Sequence, residues 1–162
     1  MLTTHFPAMS LVLLSVAACA SPGPEQPARM NSLDMQLDAR WRGSLASPAG
    51  LPDTLPMSGS ASMAPAADNS STVVTVSLAQ AAPGGLHPWE ARIGRCGMQK
   101  DDGVFGSSGE YETMTIDPDG RAMGSVTVSQ PTPVSGDYFV AVYASEENRS
   151  VVVCGNLAPP SQ

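Results

Sequence analysis

Few side chains in this sequence are suited to covalent or acid–base chemistry, and they fall in widely separated places. The cysteines are Cys19, Cys96 and Cys154, and the histidines are His5 and His87. Glu90 and Arg92 lie two positions apart after Trp89, and Tyr143 lies far downstream in the stretch YFVAVYAS. A carboxylate, a guanidinium and a phenol can together hold or pass a proton. A Glu and an Arg two apart on an exposed strand face, however, usually form a solvated ion pair worth well under ~1 kcal/mol. That is the expectation for Glu90 and Arg92. No Ser-His-Asp or Cys-His set is available with so few histidines, and there is no phosphate loop or dinucleotide fingerprint. Nine methionines offer thioether sulfur, a soft donor for copper(I). They are scattered along the chain, from Met1 to Met123, and read better as gap-filling and linker residues.

The elements that position these residues read as strands. In DARWRGSLA (38–46), Ala39, Trp41, Gly43 and Leu45 alternate with Arg40, Arg42 and Ser44, the period of a half-buried strand. MSGSASMA (57–64) is a weaker strand of small residues, and TVVTVSL (72–78) places Val74, Val76 and Leu78 on one face. Pro83-Gly84-Gly85 is a turn, after which Trp89, Ala91 and Ile93 point one way and Glu90 and Arg92 the other. Residues 97–109 read as a loop with a short strand at Val104 and Phe105. Residues 110–116 and 122–128 read as a strand pair joined by the turn Asp117-Pro118-Asp119-Gly120. Residues 137–144 and 151–154 complete the set, with Tyr138, Val140 and Val142 facing the core. Seven to eight short strands without a helical period predict an all-β Greek-key sandwich or flattened barrel.

The stretch PGGLHPWEARIGRC (83–96), together with YFVAVYAS (138–145) and VVVCGNL (151–157), resembles the copper/zinc superoxide dismutase-like β-sandwich in its short bacterial secreted and lipoprotein form. In that family a Gly-Gly turn leads into a strand written roughly H-P-W-H-x-H-x-G-x-C, whose alternate histidines bind copper. A later strand, roughly Y-F-V-N-V-H-A-S, supplies another ligand. The frame is kept here at Gly84, Gly85, His87, Pro88, Trp89, Gly94, Cys96, Tyr138, Phe139, Cys154 and Gly155, over about residues 38–158. Glu90 and Arg92 stand where the paired histidines would be, and Tyr143 where the later one would. The resemblance therefore implies the fold without its metal: no metal ligands, no cofactor and no catalytic residue are expected. Glu90, Arg92 and Tyr143 are former metal-site positions on an outer face that could serve as a binding surface. His87 precedes the copper pair in the motif and is expected to be a structural turn residue. The resemblance also implies a disulfide from Cys96 to Cys154, and cysteine counting agrees with it, because an odd cysteine in an exported protein must be accounted for elsewhere. Closing a loop of 58 residues contributes on the order of 4 kcal/mol in the chain-entropy account.

Cys19 supplies the odd cysteine. The apolar run Met9–Ala18 is about ten residues, half the ~20 a membrane-spanning helix needs, and reads as the hydrophobic region of a signal peptide. Val16-Ala17-Ala18-Cys19 resembles a bacterial lipobox, which makes Cys19 the lipidated first residue of the processed chain; cleavage at an A-x-A site after Ala20 is the alternative. The expected organisation is a lipoprotein signal peptide over 1–18, a Pro- and Ser-rich flexible tether over 19–35, the β-sandwich over 36–158 and a short tail over 159–162. The net charge is −7 with only eight Lys and Arg, which disfavours nucleic acid and anionic membrane surfaces as partners. The sequence thus predicts a non-catalytic lipoprotein of the bacterial cell envelope, on the outer membrane, with the soluble periplasmic or secreted form as the alternative. It would be held by its lipid and have a structural role or bind an envelope protein or polymer. The runner-up reading is a copper/zinc-binding superoxide dismutase-type protein.

Overall fold

Period-two alternation determines which side of each strand is buried, and the buried sides together define the core. The computed structural model describes residues 39–48, 57–98 and 101–160. Cys19 and the signal and tether segments lie outside the described residues, as do the final residues of the tail. The strands are β1 (Trp41–Ala46), β2 (Ser58–Pro65), β3 (Thr72–Ala79), β4 (Leu86–His87), β5 (Trp89–Gly94), β6 (Asp101–Val104), β7 (Met114–Thr115), β8 (Ala122–Val128), β9 (Tyr138–Tyr143) and β10 (Val151–Leu157). One 3₁₀ turn, Ser108–Glu110, interrupts them, and there is no α-helix among the described residues. The all-β expectation therefore holds.

Eight strands form one antiparallel sheet in the order β6-β5-β9-β10-β1-β2-β3-β8, and β4 and β7 pair separately. The neighbours β3 and β8, β5 and β9, and β10 and β1 are distant in sequence, so the connections cross over at the ends as in Greek-key folds. The sheet curls round its inner face, bringing Trp41, Val74, Trp89, Val128, Val140 and Val153 into one cluster. Aromatic rings stitch this core edge to face: Trp41 on Tyr138 at 5.4 Å, Phe105 on Tyr138 at 5.6 Å and Trp89 on Tyr111 at 5.1 Å between centroids. Two glycines are fixed by close approach. A Cβ on Gly155 would lie 2.0 Å from the Ser44 carbonyl oxygen at the β1–β10 seam, and one on Gly124 would meet the Trp89 indole at 2.7 Å.

Two features depart from the sequence reading. Residues 110–116 do not form the strand paired with 122–128. Only Met114–Thr115 is extended, and it pairs with Leu86–His87 instead. The Glu110 carboxylate accepts from the Ser107 and Ser129 amides, and the Tyr111 hydroxyl donates to the Phe105 carbonyl at 2.6 Å, which pulls this segment off the sheet edge. The Asp117–Gly120 turn itself is present, with the Gly120 amide on the Asp117 carbonyl at 3.0 Å. The strand expected at Val104 and Phe105 is Asp101–Val104, and Phe105 enters the core.

Candidate functional site

Glu90, Arg92 and Tyr143 converge because of how β5 lies beside β9. Glu90 is opposite Ala141 and Arg92 opposite Phe139. Ala141 itself is fully buried between Phe139 and Tyr143 on β9. Arg92 Nη1 donates to Glu90 Oε2 at 2.7 Å and to the Tyr143 hydroxyl at 3.2 Å, and that hydroxyl donates to Glu90 Oε2 at 3.1 Å. Arg149 Nη2 donates to Glu90 Oε1 at 2.6 Å, so both carboxylate oxygens are engaged by guanidinium.

This face is not the exposed, solvated one expected from sequence. Glu90 is only 2% exposed and Tyr143 5%. The outward side chains of β9, Phe139, Ala141 and Tyr143, form a second small cluster with Cys154, against which Cys96 and Val151 pack. Two elements bring the cover: the chain after β5, drawn in by the disulfide, and the turn before β10, which brings Arg149. Burying a lone carboxylate costs several kcal/mol, so the two guanidiniums and the phenol are what make a buried Glu90 tolerable. Desolvation, and next the Glu90 charge, raise the Tyr143 phenol above its ordinary pKa.

Cys96 and Cys154 form the expected disulfide, with 5.8 Å between their Cα atoms. The Cys96 amide is further tied to Asn156 Oδ1 at 2.8 Å. His87 lies outside the cluster and is structural: its Nδ1 donates to the Tyr143 carbonyl at 2.9 Å, while the Tyr143 amide donates to the Pro88 carbonyl at 2.8 Å. Met57, Met63 and Met114 are buried in the main core, whereas Met98 and Met123 are exposed. Sequence reading missed Arg149. The signal that could have found it is partial: the turn between β9 and β10 returns beside Tyr143, but the burial of Glu90 that calls for Arg149 is not written in the sequence.

A depression of roughly 570 Å³ opens over the cluster, walled by Arg92, Tyr143, Arg149, Met98, Phe139 and Val151. Its polar groups pair charge and donate hydrogen bonds. A guanidinium has no lone pair to offer a metal, and a phenol with a raised pKa is scarcely ionised near neutral pH. Among the described residues no three His, Cys, Asp or Glu side chains are grouped so as to hold a metal ion. No protein-family model matches this chain, and no curated protein matches it either.

Proposed function

We propose that this chain is a non-catalytic bacterial envelope lipoprotein, carried on the membrane by lipidated Cys19, whose superoxide dismutase-like domain has a structural or partner-binding role. The observation that carries the reading is the engagement of Glu90 by Arg92, Arg149 and Tyr143 at 2.6 to 3.1 Å. At the positions where the resembled family would hold copper, the side chains satisfy one another and offer a single hard oxygen donor. Copper needs nitrogen or sulfur partners as well. The neighbouring placement of the Trp89 and Tyr138 strands, and the bridge from Cys96 to the last strand, also support the family frame.

Metal analysis of the processed protein, with a superoxide dismutation assay, tests the catalytic half. The expected result is no stoichiometric copper or zinc and no dismutation above buffer. Tightly bound copper or zinc lost on Glu90→Ala would establish the metalloprotein alternative. Mass spectrometry of the processed N-terminus tests the anchor: an acylated Cys19 is expected, and an unmodified chain starting at Ser21 refutes it. A single acyl chain gives only marginal membrane binding, so at least two are expected.

A further inference from the structure

The outer face of β1, β2 and β3 differs from the rest of this acidic protein. Register aligns Arg42, Ser62 and Thr75 in one row across the three strands, and Ser44, Ser60 and Ser77 in the next. A groove of roughly 580 Å³ runs over these rows, with Arg40 also on its wall and no Asp or Glu among its lining residues. Arg92, Arg95 and Arg149 are engaged in ion pairs, but Arg40 and Arg42 make none with the described residues. Arg40 Nε is buried without a hydrogen-bond partner among them. Two guanidiniums two positions apart, without an ion pair among the described residues of a chain of net charge −7, form a local positive site.

We propose that this groove binds a glycan bearing carboxylate groups, with Arg40 and Arg42 taking the carboxylates and the serine and threonine hydroxyls exchanging hydrogen bonds with the sugar hydroxyls. Charge complementarity selects an anion, and guanidinium matches a carboxylate with two parallel hydrogen bonds. The lining has no aromatic residue and only Met123 as an exposed large apolar side chain, whereas protein interfaces are anchored by Trp, Tyr and Arg in desolvated pockets. Two cations on an acidic chain are too few for nucleic acid, which is held by many phosphate contacts. A hydroxylated chain with sparse carboxylates fits both the charge and the polarity. This site shares no lining residue with the depression over the Glu90 cluster and does not rest on the absence of metal there.

The test is calorimetric titration of the processed protein with oligogalacturonate, alongside maltohexaose as an uncharged glycan and a glutamate-rich peptide. Oligogalacturonate is expected to bind, and to weaken about tenfold in the combined Arg40→Gln and Arg42→Gln variant and again as salt rises. Ser60→Tyr fills the groove at unchanged charge and is expected to abolish binding, while Arg121→Gln leaves it intact. Thermal unfolding of each variant confirms the fold, and the salt dependence of the wild type stands as a readout should a variant unfold. Absence of binding, or salt-independent binding, overturns the proposal. So does equal binding of maltohexaose, or of the glutamate peptide, which would make an acidic protein the occupant. Self-association abolished by the arginine substitutions would assign the face to a second copy of the chain and also overturns it. Metal content and dismutation are unaffected by these variants, so failure here is distinguishable from failure of the functional reading above.

Discussion

The Arg149 guanidinium lies 4.0 Å above the centroid of the Tyr143 ring while one of its nitrogens bonds Glu90. One side chain thus covers the phenol and neutralises the carboxylate beneath it. Arg92 approaches the same carboxylate from the strand and is the more buried of the two, with 17% of its side chain exposed against 43% for Arg149. The two cations are therefore not equivalent. Removing one partner of a buried pair leaves a charge in low dielectric and costs ~3 to 5 kcal/mol, so Arg92→Ala should destabilise by roughly 3 kcal/mol. Arg149 is screened by solvent, and Arg149→Ala should cost about 1 kcal/mol. Urea unfolding of both variants measures the difference; equal losses would show that burial does not rank them.

The Tyr143 phenol makes stability fall in alkali. Its pKa in the folded chain is raised above 10.0, first by burial and then by the Glu90 charge, and burial raises Tyr111 as well. Where the folded pKa exceeds the unfolded one, the native state holds a proton that the unfolded chain releases. The stabilisation is complete below pH 10 and is lost as pH climbs through the folded value. The melting temperature should hold steady from about pH 8 to about pH 10 and then drop. Tyr143→Phe, which has no proton to lose, should shallow the drop. An unchanged slope in that variant would assign the alkaline loss to other groups.

How much of this was legible in sequence depends on how local the deciding contacts are. The face of β3 was readable because Val74, Val76 and Leu78 alternate with polar residues inside a single strand. Alternation sets which side of its own strand Glu90 and Tyr143 each occupy, but that the two strands lie side by side is implied only by the family resemblance. Burial of Glu90 was not legible, because its cover arrives from Arg149, 59 positions away, and from the Cys96 segment. The misread stretch at 110–116 has a related cause. Its apolar and polar pattern permits a strand, but the Glu110 carboxylate is used to bond the Ser107 and Ser129 amides, and no propensity records that choice.

The disulfide ties the cover of the site to the last strand. Opening the 58-residue loop should cost on the order of 4 kcal/mol, and Cys96→Ala and chemical reduction should lower the melting temperature alike. The Arg95 to Asp137 ion pair nearby is more than half exposed at both side chains and cannot replace the bridge. Hydrogen exchange after reduction should therefore quicken most at residues 95–98 and in β10, beyond the loss that lower global stability brings to core strands such as β3. Uniform loss of protection would mean that the bridge supports the whole fold rather than this segment.

Gly124 is a position where the core tolerates little. Its Cα sits under the Trp89 indole, so a Cβ there would lie 2.7 to 2.9 Å from three indole atoms, closer than real contacts allow. Trp89 cannot easily yield. It is 2% exposed, its ring meets Tyr111 edge to face at 5.1 Å, and its strand is fixed by pairing to β9. The indole nitrogen already lacks a hydrogen-bond partner, so a tilt that brought it to water would offset part of the steric cost. Gly124→Ala should destabilise by ~1 to 3 kcal/mol through overpacking, and Gly124→Val by more. Trp89 fluorescence in the folded alanine variant should shift to longer wavelength as the ring is displaced outward. Because Trp41 also emits, the comparison is made in a Trp41→Phe background. An alanine variant with wild-type stability and an unshifted emission would mean that the strand, not the ring, gives way.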